Sequence, residues 1–230
     1  MFHCFLIQAQ NVDPLATKDT LAQTKWVDSV LNSMTIDAKI GQLFMVQAYS
    51  NKDEDHSIFI DSLIKNYQIG GLIFMQGTPE KQAVLNNRFQ SISKVPLLIG
   101  FDGEWGLDMR LENTYRFPWN MTLGAIRDNK LIEEFGIRLG KQCKRLGIHI
   151  NFAPVVDINI NPENPIIGNR SFGENRENVT QKASAFIKGM QSQHVLANAK
   201  HFPGHGDTAS DSHKTLPVLD FDFERLNSIE

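Results

Sequence analysis

The sequence predicts a parallel α/β fold, of the barrel kind, on three observations. Short apolar runs alternate with helical stripes along the chain, and each run is apolar at successive residues, the mark of a strand covered on both faces. Charged residues follow several of these runs directly, where parallel α/β folds build their sites. Neither GxGxxG nor GxxxxGK[ST] occurs, so the phosphate loop that often accompanies a doubly wound sheet is missing and the choice tilts towards a barrel.

The elements follow in order. After a polar lead-in, Val27, Val30, Leu31 and Met34 mark a helix face, and GQLFMV (residues 41–46) reads as the first strand. Phe59, Leu63, Ile64 and Tyr67 form the next helical stripe, before the buried strand IGGLIFM (69–75). Thr78-Pro79 is a helix start, a side-chain cap followed by proline at the first helical position. That helix runs towards Lys94 and leads into VPLLIGFD (95–102). Ile132, Phe135, Leu139, Cys143 and Leu146 share one helix face closed by Gly147, and IHINFAPVVD (148–157) is the fourth strand. Val179, Ala183, Phe186, Ile187 and Met190 mark another helix, VLANAKHF (195–202) is the fifth strand, and FERLNSIE reads as a further helix.

Composition bounds the function. With 230 residues and 41% hydrophobic content the chain can bury a substantial core. The net charge is −3 with Lys and Arg scattered, which argues against a nucleic-acid partner, and no apolar run is long enough to span a bilayer. Cys4 and Cys143 form neither a disulfide framework nor a CxxC site, and Cys143 sits on a helix's apolar face as a small core residue. The start, MFHCFLIQAQ, is apolar and ends near alanine like the tail of a secretory signal, but lacks a basic n-region and a full-length h-region. Residues 1–16 are therefore read as a signal remnant plus lead-in, with a periplasmic or secreted location slightly favoured over cytoplasmic. Residues 17–230 are read as one domain.

Asp102 ends the third strand, Asp157 the fourth, and Lys200-His201 the fifth, so they converge on the face where such folds act. The segment KHFPGHGDTASDSHKTLP (200–217) follows the fifth strand. His201 and His205 have the four-residue spacing of a helical zinc pair, but Pro203, Gly204 and Gly206 disfavour a helix there. His205, between two glycines, suits a structural role in which its ring bonds the backbone of its own loop. Asp211 and His213 lie two apart, so in an extended segment their side chains point the same way. A carboxylate bonded to one ring nitrogen fixes the tautomer and raises the basicity of the other, which suits a general acid/base. Taken alone the DxH pattern is a weak signal, equally at home on a solvated loop.

The surrounding residues add to it. KHFPGHGDTASDSH resembles the signature of glycoside hydrolase family 3, in its β-N-acetylglucosaminidase branch. The likeness extends through IGQLFMV, GGLIFM, PLLIGFDGEWGLDMRL, NFAPVVDININ and GNRSFGEN, in the family's order, from about Ile40 to Pro217. The resemblance implies an incomplete (β/α)₈ barrel. It also implies hydrolysis of terminal N-acetyl-β-hexosaminides, such as cell-wall or chitin-derived oligosaccharides, with retained configuration and without metal or organic cofactor. It maps the proton donor to His213 and the orienting carboxylate to Asp211, a departure from the usual carboxyl acid. Sugar-binding positions map to Asp102, an acceptor for hydroxyls, to Arg110 and Arg170, forks of donors, and to Lys200 and His201. Asp157 is expected to brace the arginines, and Trp105 to stack on sugar or pack the rim.

Two departures are visible. Many members read DxEGG where this chain has Asp102-Gly-Glu-Trp-Gly, which unsettles loop shape and specificity near Trp105. The family's nucleophile lies near the end of a seventh strand; five are legible here, and no residue matches it. The 230-residue chain is thus expected to lack turnover by itself. A β-glucosidase of the same family, a non-catalytic sugar-binding fragment and a metal-dependent hydrolase stand as alternatives.

Overall fold

Five strands pair in parallel and in chain order: β1 (Met45–Ala48), β2 (Gly71–Phe74), β3 (Leu98–Phe101), β4 (Ile150–Asn151) and β5 (Leu196–Ala197). A computed structural model describes residues 15–229, so the expected signal remnant, residues 1–16, lies almost wholly outside the described residues. A doubly wound sheet reverses its strand order at a switch point. Among the described residues no reversal occurs, and each strand pairs with its successor, as in the wall of a barrel. Met45 lies opposite Gly71, Gly71 opposite Leu98, Gly100 opposite Ile150, and Ile150 opposite Leu196. Beyond β4 a further parallel bridge joins Val155 to Lys200.

Helices alternate with these strands: α1 (Thr20–Ser33), α2 (Ile36–Gly41), α3 (Glu54–Ser62), α4 (Pro79–Ile92), α5 (Asn120–Gly124), α6 (Asn129–Arg145), α7 (Arg176–Gln191) and α8 (Phe223–Ile229). Their starts follow local chemistry. Thr78 accepts from the Lys81 N–H with Pro79 in the first turn, Asp53 from His56, and Asn175 from Asn178, each satisfying a donor the helix itself cannot.

The strands carry the core. Leu72, Phe74, Ile99 and Phe101 are buried, and Ile60, Ile64, Phe89, Ile132, Leu139, Cys143, Phe186 and Met190 close over them from the helices. Each large side chain so buried contributes roughly 1.5–3 kcal/mol. α6 and α7 pack so closely that glycine is required at the crossing. A Cβ on Gly136 would lie 2.4 Å from the Phe186 carbonyl oxygen, and one on Gly189 2.2 Å from that of Glu133.

Three expectations shift. The first strand starts later than its apolar run suggests, because Leu43 and Phe44 are exposed and precede the paired residues. α3 passes into a wider π-type turn at Leu63–Tyr67, which rotates its stripe. Ile60 and Ile64, four apart, are buried, while Phe59 and Tyr67 are exposed. α1 forms where expected but buries none of its residues.

Candidate active site

Asp102 directly follows β3, and the turn that carries it is clamped from the next strand. The buried Asn151 side chain accepts from the Gly103 N–H at 2.8 Å and donates to the Gly103 carbonyl at 3.3 Å. A two-sided clamp of this kind fixes the backbone, and with it the directions of the flanking carboxylates Asp102 and Glu104.

Those carboxylates organise three cations. Arg110 Nη2 donates to Asp102 Oδ2 at 2.7 Å, and Lys200 Nζ donates to Asp102 Oδ1 at 3.2 Å. Lys200 also reaches Glu104 Oε1 at 2.7 Å. Arg170 grips Glu104 with two prongs, Nε to Oε2 at 2.9 Å and Nη2 to Oε1 at 2.8 Å. Burial alone would raise both carboxyls, but the cations outweigh it. Lys200 and Arg110 hold Asp102 below the ordinary carboxylate range, and Arg170 with Lys200 does the same for Glu104. Arg170 is in turn pushed up, because its bonds to Glu104 outweigh its own burial. The pocket floor therefore holds fixed charges in a defined pattern, with charged donors and acceptors side by side.

Asp157 organises the other side. It is 2% exposed, and its Oδ2 lies 2.6 Å from His201 Nδ1, while Oδ1 accepts from the backbone N–H of His201 at 3.2 Å and of His205 at 2.8 Å. Burial would raise this carboxyl, but the bonds from His201 outweigh it and hold it low. The expectation that Asp157 braces the arginines is therefore corrected. It braces two histidines, and Arg170 feels it only as a nearby charge. His205 is structural, but its ring bonds side chains rather than backbone: Nε2 lies 2.8 Å from Ser212 Oγ, and Nδ1 meets Thr208 Oγ1.

The Asp211–His213 pair forms as the spacing suggests. Asp211 Oδ1 lies 2.9 Å from His213 Nδ1 and accepts from the His213 N–H at 2.8 Å. Those bonds, the backbone one first, lower the Asp211 carboxyl below its ordinary value. His213 is exposed, and its Nε2 has no hydrogen-bond partner among the described residues.

One cavity of about 650 Å³ gathers most of these groups: Asp102, Arg110, Arg170, Lys200, His201 and His213 all line it, and Asp211 stands behind His213. Trp105 lines it too, tilted against Trp119 with ring centroids 4.3 Å apart, so it both packs the rim and faces the cavity. Arg116 lies across both indoles, 5.5 Å and 4.9 Å from their centroids. Glu104 belongs to the Asp102-Gly-Glu stretch shared with the family but is not marked there as a site residue, and Asn151 carries no signal of its own in the sequence. Among the described residues no cluster of three or more His, Cys, Asp or Glu is placed to hold a metal ion, and no helix is long and apolar enough to cross a membrane.

Known proteins resemble the chain in sequence and fold. The glycosyl hydrolase family 3 N-terminal domain matches residues 35–230. Beta-hexosaminidase A of Pseudoalteromonas piscicida is 39% identical over 181 residues, 73% of this chain and 30% of that protein. A solved glycoside hydrolase family 3 β-N-acetylglucosaminidase from Paenibacillus sp. str. FPU-7 superposes with a TM-score of 0.78 at 39% identity, over 86% of this chain and 38% of that one. β-Glucoside phosphorylase BglX bound to 2FGlc superposes with a TM-score of 0.85 at 26% identity, over 93% of this chain and 38% of that one. The chain thus spans between about a third and a half of the curated relatives it matches. The matched family covers most of the chain, and the parallel strand order superposes on solved members, so the chain belongs to glycosyl hydrolase family 3, in its N-terminal domain.

Proposed function

We propose that the protein carrying this chain is a glycosidase that releases N-acetyl-β-D-hexosamine from the non-reducing end of oligosaccharides, with retained configuration. The observation that carries this reading is the Asp211–His213 pair, standing beside a cavity floored by Asp102, Arg110, Arg170 and Lys200. The beta-hexosaminidase and β-N-acetylglucosaminidase names of its relatives support the substrate class.

In this reading Asp102 accepts from sugar hydroxyls while Lys200, Arg110 and Arg170 donate to sugar or acetamido oxygens. His201, oriented by Asp157, completes the sugar site. With Nδ1 held by Asp211, the imidazolium of His213 gives its Nε2 proton to the glycosidic oxygen as the C1–O bond breaks, and the aglycone leaves as an alcohol. Retention also requires a carboxylate on the opposite face of the sugar. Asp102, Glu104, Asp157 and Asp211 are each committed to cations or histidines, so none of them is assigned that role.

The test is an assay of the full-length protein on nitrophenyl N-acetyl-β-glucosaminide and nitrophenyl β-glucoside, with the first-formed anomer followed by NMR. A preference for the N-acetyl substrate and a β-anomer first are expected. Faster turnover of the glucoside, or an α-anomer first, would overturn the reading. The likeness to BglX favours one variant of it, with inorganic phosphate in place of water as acceptor; a sugar 1-phosphate formed in phosphate buffer would identify that variant.

A further inference from the structure

The loop that bears His213 has two parts. Residues 203–208 are pinned to the segment that follows β4. Asn164, itself buried, donates to the His205 carbonyl at 2.7 Å, the Gly206 carbonyl at 3.2 Å and Thr208 Oγ1 at 3.3 Å. Asn161 donates to the Asp207 carbonyl at 3.2 Å, and the His205 N–H is held by Asp157. At Gly206 a Cβ would lie 1.8 Å from the Ile158 carbonyl oxygen, so the loop base lies directly on that segment.

Residues 209–216 differ. Their hydrogen bonds run among themselves: Asp211 to His213, and the Asp211 carbonyl accepting from the N–H groups of Lys214 and Thr215. Among the described residues a single hydrogen bond ties this tip to the rest of the chain, between Ser212 Oγ and His205 Nε2 at 2.8 Å. Ser212 is the residue between Asp211 and His213. His205 is 8% exposed, and its ring is held by that burial, by the pinned backbone on either side and by the Thr208 hydroxyl at its other nitrogen. Either neutral tautomer gives one bond on each side: the Thr208 hydroxyl donates to Nδ1 or to the His205 carbonyl, and Ser212 accepts or donates accordingly.

We infer that His205 is a positioning residue: its locked ring latches Ser212 and so holds the tip bearing Asp211 and His213 at the cavity. The function of the latch rests on the assignment of His213 as proton donor; its existence does not. A tip with one anchor opens locally at small cost, so the population with His213 in place depends on that anchor. A proton donor acts only within hydrogen-bond reach of the leaving oxygen. The latch therefore governs the step that needs the proton and leaves sugar binding alone.

Ser212→Ala in the full-length protein is the test, because it removes the latch hydroxyl at the exposed end and leaves the buried ring in place. Amide hydrogen exchange across 209–215 should rise, while exchange across β1 to β5 stays unchanged. Turnover of N-acetylglucosaminides with sugar leaving groups should fall about 3- to 10-fold, the range of one neutral hydrogen bond. Nitrophenyl substrates and KM should change less than twofold, and Ser212→Thr, which keeps the hydroxyl, should restore both readouts. Unchanged exchange would overturn the latch, whatever the kinetics. Raised exchange with both substrate types equally affected would overturn the positioning role, provided His213→Ala separates them. If His213→Ala does not separate them, the proton-donor reading fails, and raised exchange still supports the latch.

Discussion

Arg170 and Glu104 meet fork to fork across the cavity floor, at 2.9 Å and 2.8 Å, with no exposed surface left on the Glu104 side chain. A pair this enclosed strongly resists the loss of one partner, because the other is left charged and without compensation. Here Lys200 would be stranded as well, since Glu104 also holds it at 2.7 Å. Glu104→Ala is therefore expected to lower folding stability by about 3 kcal/mol. Urea denaturation should show the midpoint fall, and a loss under about 1 kcal/mol would mean that the pair contributes little.

Asp102→Ala acts on the cavity side of the same network. It removes an acceptor held by Arg110 and Lys200, so any hydroxyl bonded there loses a charged partner. The expected cost is about 1.5–3 kcal/mol in kcat/KM for terminal N-acetylglucosaminides. Steady-state kinetics on the full-length variant checks it, and an unchanged kcat/KM would remove Asp102 from the binding site.

The carboxylates also set the acid limb of stability. Asp102, Glu104 and Asp157 all titrate below their ordinary values in the folded chain. Groups lowered in this way stabilise fully above the unfolded carboxylate pKa of about 4, and that stabilisation is lost as pH falls through the lower folded values. Tm should thus hold from neutral pH down to about pH 5 and fall below it. Asp157→Asn should flatten that fall, because one of the three groups no longer titrates. An acid limb of unchanged slope in the variant would show that Asp157 is not held low.

At the helix pair, Gly136→Ala places a methyl 2.4 Å from the Phe186 carbonyl oxygen, and backbone must shift to admit it. Overpacking of this kind costs typically about 1–3 kcal/mol. Thermal denaturation of Gly136→Ala should show the lowered Tm. The exposed Ser184 on α7 serves as a control. Ser184→Ala adds no crowding and favours the helix slightly, so it should not lower the Tm.

Much of this architecture is written locally. α6 and α7 read directly from their apolar spacing because helix period and burial coincide there, with Ile132, Leu139 and Cys143 on one side and Val179, Phe186 and Met190 on the other. The convergence of Asp102, Lys200 and His201 follows from strand ends sharing one face of a parallel sheet. What the spacing hides is long-range. Glu104 pairs with Arg170 across 66 residues, Asn151 clamps a turn 48 residues earlier, and Asn164 pins a loop about 40 residues later. Each is an ordinary polar residue until the fold brings its partner. The bond between Asp157 and His201 is hidden in the same way, and charge alone suggested an arginine as the partner instead. The π-type turn after α3 defeats a fixed helical period at Tyr67, and Phe59, one residue before the buried Ile60, reads as core but lies outside as well.

Comparison of leaving groups in His213→Ala bears most directly on the proposed chemistry. Substrates with nitrophenolate leaving groups need no proton, whereas sugar leaving groups do. If His213 Nε2 supplies that proton, the variant should turn over the nitrophenyl substrates nearly as well as the parent, and oligosaccharides about 10²–10⁴-fold more slowly. Equal slowing of both substrate types would contradict the assignment of His213.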